Sequence, residues 1–150
     1  MLYFAYGSNM NEDELIEESV NILERRRVIL RNYKIAVTRN SKKHNGGVLD
    51  IIPRDGEIVE GVLYDVPDND KSKIDKKEGV CDGAYEPITV SIEDYEGQVI
   101  NDVISYQVCD KIDAKPASKE YKDSVLRGAC EHGLSDDYKE KLKNILEKKS

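Results

Sequence analysis

The sequence predicts an α+β fold in which a curved or closed mixed β-sheet carries helices on its outside. Two observations support this prediction. The first two thirds of the chain consist mainly of β-rich segments separated by short turns, whereas the last third has helical periodicity. No linker, internal repeat or low-complexity tract interrupts the 150 residues. We therefore expect a single domain that spans residues 1–150.

The β-rich part begins with an uncharged apolar strand and continues through segments bounded by turn residues. Strands are predicted over residues 1–6, 28–39 (with a break near Asn32), 47–52, 57–66, 85–92 and 98–108. Residues 53–56, Pro-Arg-Asp-Gly, are predicted to form the turn of a hairpin between residues 47–52 and 57–66. Gly61, inside the second strand of that hairpin, suggests either a bulge or the close approach of another backbone.

Four helices are predicted from their capping residues and charge patterns. They cover residues 12–18, 68–79, 118–133 and 135–149. Asn11 has the residue type of an N-cap and is followed by acidic residues, while Gly79 has the residue type that ends a helix. Ser135 opens the last helix in the same way as Asn11 opens the first.

Composition restricts the classes of partner. The chain has 39% hydrophobic and 35% charged residues, a net charge of −7 and a pI near 5.0. Such an acidic chain is not expected to bind nucleic acid or an anionic membrane. Neither a secretory signal nor a membrane-spanning segment is predicted. The three cysteines (Cys81, Cys109 and Cys130) include no CxxC pair, which favours a reducing cytoplasmic location over a disulfide framework or a zinc site.

The common catalytic and cofactor motifs are absent from the sequence. It contains no GxGxxG, P-loop, HExxH or GxSxG pattern, so we expect no metal and no cofactor. His44 and His132 are expected to be ordinary surface or helix-end residues. A Cys–His pair that uses Cys81 or Cys130 has no local support. The run from Arg25 to Arg27 is expected to be a solvated edge.

Two short stretches remain as candidates for chemistry. In YFAYGSNM, residues 3–10, a strand breaks into Gly7-Ser8-Asn9 just before a helix, an arrangement that collects backbone N–H groups around an anion. An ordinary structural turn explains the same pattern. In IDKKEGVCDGAY, residues 74–85, Glu78 ends a lysine-rich helical turn. It is either a solvated glutamate or, with its pKa raised by the helix C-terminus, a general acid/base.

The order of several segments resembles the γ-glutamylcyclotransferase (AIG2-like) family. The segments are YFAYGSNM, NGG ahead of a strand, EGVLYDV, IDKKEGVCDGAY, ISYQV, PASKEY, GACEHGL and YKEKL. The resemblance covers residues 1 to about 146 and is specific in the combination of YGSN with D-x-x-EG and Y-x-x-x-V after it. It implies a small closed mixed β-barrel with flanking helices and two C-terminal helices.

The resemblance also implies an activity, which is cyclisation of a γ-glutamyl group to 5-oxoproline with release of the amine. Glu78 would be the acid/base, and Tyr121 would contact the substrate. The other residues expected to line the substrate site are Tyr3, Phe4, Ala5, Tyr6, Gly7, Ser8 and Asn9. The partner would be a small γ-glutamyl compound, with no cofactor, nucleic acid or membrane, and the protein would be a monomer or homodimer.

Three alternatives stay open within this resemblance. The enzyme could act on γ-glutamyl amines, or it could deprotect a γ-glutamylated biosynthetic product. The chain could also be a barrel of the same kind that binds a ligand without turnover. Residues 39–46, which are short and basic, have no role assigned from the sequence.

Overall fold

Five strands close into a barrel in the computed structural model, which describes residues 1–149. Residue 150, the last of the predicted single domain, lies outside the described residues. The strands are β1 (Leu2–Ala5), β2 (Glu24–Ser41), β3 (Gly46–Asp65), β4 (Tyr85–Asp94) and β5 (Val99–Val108). Their order around the barrel is β1-β3-β2-β4-β5. Since β1 and β5 run parallel while the other pairs are antiparallel, the predicted closed mixed barrel is confirmed.

The predicted hairpin around residues 53–56 is wrong. The strand β3 runs without reversal from Gly46 to Asp65, and its partner is β2. The chain turns at residues 42–45 instead. Residues 54–57 form an irregularity within the ladder. Arg31 pairs with Ile58 and Tyr33 pairs with Pro53, so four residues of β3 lie opposite the single residue Asn32 of β2. Turn-forming residues therefore bend this long ribbon instead of ending it.

The strand β2 begins four residues before the predicted start, so the three arginines lie in the barrel. Arg25 pairs with Glu12 at 2.8 Å and Arg26 pairs with Asp94 at 3.1 Å, with both arginine side chains about half exposed. They form a charged edge, as expected, but an ion-paired one. Surface pairs of this kind contribute little net stability.

Gly61 marks a close approach of two backbones, which is one of its two predicted roles. It pairs in register with Val28, so there is no bulge at this position. A Cβ atom at Gly61 would lie 2.5 Å from the carbonyl oxygen of Ala5 and 2.6 Å from the ring of Phe4. Only glycine leaves room for β1 to cross here.

Four helices accompany the barrel within residues 1–149: α1 (Glu12–Ile16), α2 (Lys71–Lys77), α3 (Lys119–Glu131) and α4 (Asp136–Leu146). The side chains of Asn11, Ser118 and Ser135 cap α1, α3 and α4 by accepting backbone N–H groups. The core is one cluster with side chains from all five strands and all four helices. Among the helices of residues 1–149, none has the length and hydrophobicity needed to cross a membrane.

Candidate active site

A cavity of about 340 Å³ lies where the end of β1, the end of α2 and the β2–β3 turn meet. Three kinds of side chain dominate its lining: tyrosines, small or polar residues of the turn after β1, and charged residues, of which four are cations and three are carboxylates (Glu18, Glu78 and Asp82). The lining includes Tyr3, Tyr6, Gly7, Ser8, Asn9, Arg39, Ser41, Lys43, His44, Val48, Leu49, Lys76, Lys77, Glu78, Gly79, Asp82, Ala84, Tyr85, Tyr106 and Tyr121.

Most of the residues predicted for the site lie together in this cavity. Glu78 and Tyr121 line it, as do five of the seven residues predicted from the N-terminal segment. Phe4 and Ala5 are the exceptions, since neither is part of the lining. Both are completely buried, and both contact the position of Gly61, so they support the strand rather than face the cavity.

Glu78 is placed by the end of α2. Its backbone N–H closes the helix by donating to the Ile74 carbonyl at 2.9 Å, and Gly79 follows in the left-handed conformation at φ 66°. Glycine adopts this conformation without the strain that a side chain would add. The predicted helix stop at Gly79 therefore also orients the catalytic candidate towards the cavity.

The pKa of Glu78 is raised above its ordinary value, and the chief cause is burial of the carboxylate. Lys77, Lys43 and Arg39 oppose this effect by favouring the charged form, and so does a hydrogen bond from Asn9. The sequence predicted the same direction from the helix terminus. In the structure, desolvation in the cavity is the largest cause of the raised pKa, and raised carboxylate pKa values are common at catalytic sites.

Asn9 connects the turn after β1 to Glu78. Its side-chain amide donates to Oε1 of Glu78 at 2.9 Å and to the hydroxyl oxygen of Tyr3 at 2.8 Å. The turn itself is held by the Tyr64 hydroxyl, which lies 2.9 Å from the Asn9 carbonyl oxygen and 3.0 Å from that of Met10. These contacts fix the carboxylate and the small-residue turn against each other.

The five cavity tyrosines differ in how their hydroxyl groups are used. Tyr6 donates to the carbonyl of Tyr106 at 2.7 Å, Tyr85 donates to the carbonyl of Leu49 at 2.7 Å, and Tyr106 donates to Asp75. The hydroxyl oxygens of the other two are acceptors. Tyr3 accepts from Asn9, and Tyr121 accepts from the Leu49 N–H at 3.1 Å.

The basic β2–β3 turn, to which the sequence gave no role, forms one wall of the cavity. Arg39 and Lys43 line it from this side, and Lys76 and Lys77 line it from α2. Their convergence depends on the long β2–β3 ribbon, because its turn and the end of α2 line the same cavity. The only sequence signal was the cluster of basic residues between positions 39 and 46.

His44 is not an ordinary surface residue, which corrects the prediction, whereas His132 is the C-cap of α3 and so is a helix-end residue as expected. His44 lines the cavity with its ring 4.9 Å from that of Tyr121, and burial lowers its pKa to about 4. The side chain of His132 is 8% exposed and lies 3.3 Å from Glu12 and beside the Tyr64 ring. His44 is therefore neutral at physiological pH and packs as a wall of the cavity.

Within residues 1–149 there is no group of three or more histidine, cysteine, aspartate or glutamate side chains that could hold a metal ion. Cys81, Cys109 and Cys130 are exposed free thiols. The titratable groups that line the cavity are the carboxylates of Glu18, Glu78 and Asp82, the tyrosine hydroxyls, His44 and four cations.

Comparison with known proteins places this chain in a family. The AIG2-like family model matches residues 58–142, a range that includes Glu78 and Tyr121. The γ-glutamylcyclotransferase of Bos taurus is 32% identical over 148 residues, which cover 96% of this chain and 78% of the bovine protein. The chain belongs to the γ-glutamylcyclotransferase family.

Other relatives agree with this assignment to the γ-glutamylcyclotransferases. The Homo sapiens γ-glutamylcyclotransferase is 31% identical, with the same shares of the two chains covered. A solved structure of a γ-glutamyl cyclotransferase superposes with a TM-score of 0.88 at 30% identity, over 97% of this chain and 87% of that one. The family resemblance noted in the sequence is therefore confirmed.

Proposed function

We propose that this enzyme cyclises the γ-glutamyl group of γ-glutamyl amino acids to 5-oxoproline and releases the free amino acid, with Glu78 as the single general acid/base. The bond formed joins the substrate's α-amine nitrogen to its γ-carbonyl carbon. The bond broken joins that carbon to the nitrogen of the leaving amino acid.

The observation that carries this proposal is the hydrogen bond from Asn9 to Glu78. It joins the carboxylate to the Gly7-Ser8-Asn9 turn in one cavity. The first hydrogen bond of the turn is donated by the Met10 N–H to the Gly7 carbonyl. The N–H groups of Ser8 and Asn9 come earlier in the chain and take no part in that bond. Amides at this position suit an anionic group of the substrate, while the nearby carboxylate suits its amine.

The proposed mechanism needs one proton acceptor and a shaped cavity. Glu78 takes a proton from the α-ammonium, so that the nitrogen lone pair can attack the γ-carbonyl carbon. That proton passes to solvent. As the new bond forms, the attacking nitrogen gives a second proton to the same carboxylate, which passes it to the leaving nitrogen, so the ring nitrogen of 5-oxoproline keeps one hydrogen. Because nucleophile and electrophile belong to one molecule, holding them in contact gives an effective molarity of about 10⁵ M or more. No protein nucleophile is required.

The cations around the cavity favour a leaving group that carries a carboxylate. Arg39, Lys43, Lys76 and Lys77 line the same space as Glu78 in a chain whose net charge is −7. A leaving amino acid has a carboxylate to pair with them, whereas an uncharged alkyl amine has none. We therefore place γ-glutamyl amino acids before γ-glutamyl amines as substrates.

The raised pKa of Glu78 supports an enzyme over a barrel that only binds a ligand. A site that binds a substrate ammonium without turnover gains most from a carboxylate that stays ionised, and burial works against that. A proton carrier instead gains from a pKa closer to neutral pH. We also propose that the enzyme is a monomer or homodimer and acts in the reducing cytoplasm; the exposed free thiols support this location.

The direct test is incubation of the purified protein with a panel of γ-glutamyl amino acids and γ-glutamyl amines, with detection of 5-oxoproline. We expect 5-oxoproline from the amino acid conjugates and a lower kcat/KM for conjugates of uncharged amines. Binding without 5-oxoproline formation would contradict the proposed activity. Equal kcat/KM for both classes would contradict the role given to the cations.

A further inference from the structure

Lys77 has the most buried side chain of the ion-paired lysines and arginines in residues 1–149. Its side chain is 5% exposed, whereas every other such side chain in this range is at least 24% exposed. Burying a charge is costly unless an opposite charge compensates it. Yet the carboxylate that pairs with Lys77, that of Glu14, lies 3.5 Å from Nζ. Charge-assisted hydrogen bonds are shorter, about 2.7–2.9 Å, so the buried ammonium group is incompletely compensated.

Glu14 is itself held by another helix, which limits how closely it can approach Lys77. The hydroxyl group of Ser124 in α3 donates to Oε1 of Glu14 at 2.9 Å, and the side-chain amide of Asn11 donates to that hydroxyl oxygen at 3.1 Å. The carboxylate is therefore shared between α3 and Lys77, which lies next to the other oxygen, Oε2. Since an ammonium group has three N–H donors, Lys77 can bind a second anion.

Lys77 lies where two cavities adjoin. It lines the cavity that holds the candidate catalytic carboxylate, while its partner Glu14 lines a second cavity of about 310 Å³. The two cavities share Lys43, His44 and Tyr121 as walls. A ligand in the first cavity therefore has room to extend past Lys77 towards the second.

The charge of Lys77 acts on the interior of the first cavity. Burial raises the pKa of Glu78, and Lys77 is the largest of the effects that oppose this rise. Burial lowers the pKa of His44 to about 4, and Lys77 is the largest electrostatic contribution in the same direction. An anion bound to Lys77 would thus lie close to the carboxyl group that is proposed to carry the proton.

The other three cations of this cavity are less suited to binding a single carboxylate firmly. Lys43 and Lys76 are exposed, and water weakens the attraction between exposed charges. Arg39 is half-buried, and its guanidinium group lies 5.8 Å from the centre of the Tyr85 ring. The buried ammonium group of Lys77 is therefore the cation at which a carboxylate gains most.

Resting on the proposed function, we propose that Lys77 binds the carboxylate of the leaving amino acid and so selects γ-glutamyl amino acids over γ-glutamyl amines. In a leaving amino acid, the carboxylate is two bonds from the nitrogen that Glu78 protonates. Its partner must accordingly lie beside Glu78, and Lys77 is the residue before it, at the end of α2. The amides of the turn after β1 remain for the glutamyl half of the substrate.

The test uses two substrates that differ only in the carboxylate of the leaving group, γ-glutamyl-alanine and γ-glutamyl-ethylamine. Lys77→Met keeps an unbranched apolar side chain and removes the charge. Lys73→Met is the matched control, because Lys73 lies one turn earlier in α2, pairs with Asp70 at 2.9 Å and lines neither cavity. Both substrates are measured with one enzyme preparation on the alkaline plateau, so that the folded fraction and the ionisation of Glu78 cancel in the ratio of the two kcat/KM values.

Lys77→Met should lower the preference for γ-glutamyl-alanine, expressed as that ratio, by about tenfold or more relative to the wild type. This is the loss expected for one hydrogen bond between charged groups. Most of the loss should appear as a higher KM for γ-glutamyl-alanine, because the carboxylate is bound before and during the reaction. Binding of 5-oxoproline, which lacks the leaving group, should stay near that of the wild type in calorimetry. Lys73→Met should keep the wild-type ratio.

Four outcomes would overturn the inference while 5-oxoproline formation by the wild type stands. An unchanged ratio in Lys77→Met would show that another group recognises the leaving carboxylate. An equal loss with both substrates, or a loss of 5-oxoproline binding, would place Lys77 at the glutamyl half. The same fall in Lys73→Met would show a general effect of charge. Absence of 5-oxoproline from the wild-type enzyme with both substrates would instead overturn the proposed function, and the inference with it.

Discussion

Replacing Asn9 by alanine should make the enzyme more sensitive to acid. The Asn9 amide donates to Oε1 of Glu78 at 2.9 Å and so favours the ionised carboxylate. Glu78 must be ionised to accept the α-ammonium proton. Loss of the donor therefore raises the pKa of Glu78 further, in the direction in which burial already moves it.

The magnitude follows from the hydrogen bond that is lost. Hydrogen bonds to charged groups contribute about 1.5–3 kcal/mol. A difference of about 1.4 kcal/mol between the two protonation states changes the ionised fraction about tenfold at pH values below the pKa. Relative to the wild type, we therefore expect Asn9→Ala to lower kcat/KM about tenfold or more at acidic pH. This loss is in addition to any loss measured on the alkaline plateau.

The assay is the pH dependence of kcat/KM, which reports ionisations of the free enzyme. The control is Asn11→Ala, which removes the N-cap of α1 and should cost about 1 kcal/mol of stability without moving the acidic limb. An acidic limb that stays at the wild-type position in Asn9→Ala would refute the link between Asn9 and Glu78.

Three further predictions concern the surroundings of the site. Gly128→Ala in α3 places a Cβ atom against the backbone of Asn11 and should lower the free energy of unfolding, measured by urea titration, by about 1–3 kcal/mol. The control Glu120→Ala, at an exposed position of the same helix, should change it by no more than about 0.5 kcal/mol. Gly7→Val should prevent 5-oxoproline binding in calorimetry while circular dichroism stays unchanged, because even a Cβ atom at Gly7 lies 3.2 Å from the Tyr121 hydroxyl. Activity should survive treatment with a chelator, and a loss restored by a divalent ion would contradict a mechanism that uses a carboxylate alone.

Local signals in the sequence predicted the elements that depend on local interactions. The capping residues Asn11 and Ser135 and the helix stop at Gly79 hold the positions predicted for them. The prediction was wrong at residues 53–56, because turn-forming residues specify a bend and not the partner of the next strand. Pairing of β3 with β2 is decided by contacts between distant residues, which a local pattern does not contain.

The candidate site likewise combines residues that local sequence signals predict with residues that only the folded chain brings together. Glu78 and the turn after β1 were found through short motifs, and the structure brings them together in one cavity. Tyr3, Tyr6 and Tyr121 were expected from the family resemblance, whereas Tyr85 and Tyr106 were not, and the cations of the β2–β3 ribbon had only a cluster of basic residues as a signal; these groups converge only when the barrel closes. The direction of the Tyr3 and Tyr121 hydrogen bonds is likewise a property of the folded chain.

Turnover by Glu78→Gln tests the central claim most directly. Glutamine keeps the size of Glu78 but cannot carry the ammonium proton, so 5-oxoproline formation from a γ-glutamyl amino acid should fall by about 10² to 10⁴. Two neighbours serve as controls: Asp82→Asn, which changes another carboxylate of the cavity lining, and Cys81→Ala, which removes an exposed thiol, should both keep most of the activity. Wild-type turnover in Glu78→Gln, or an inactive Cys81→Ala, would contradict the assignment.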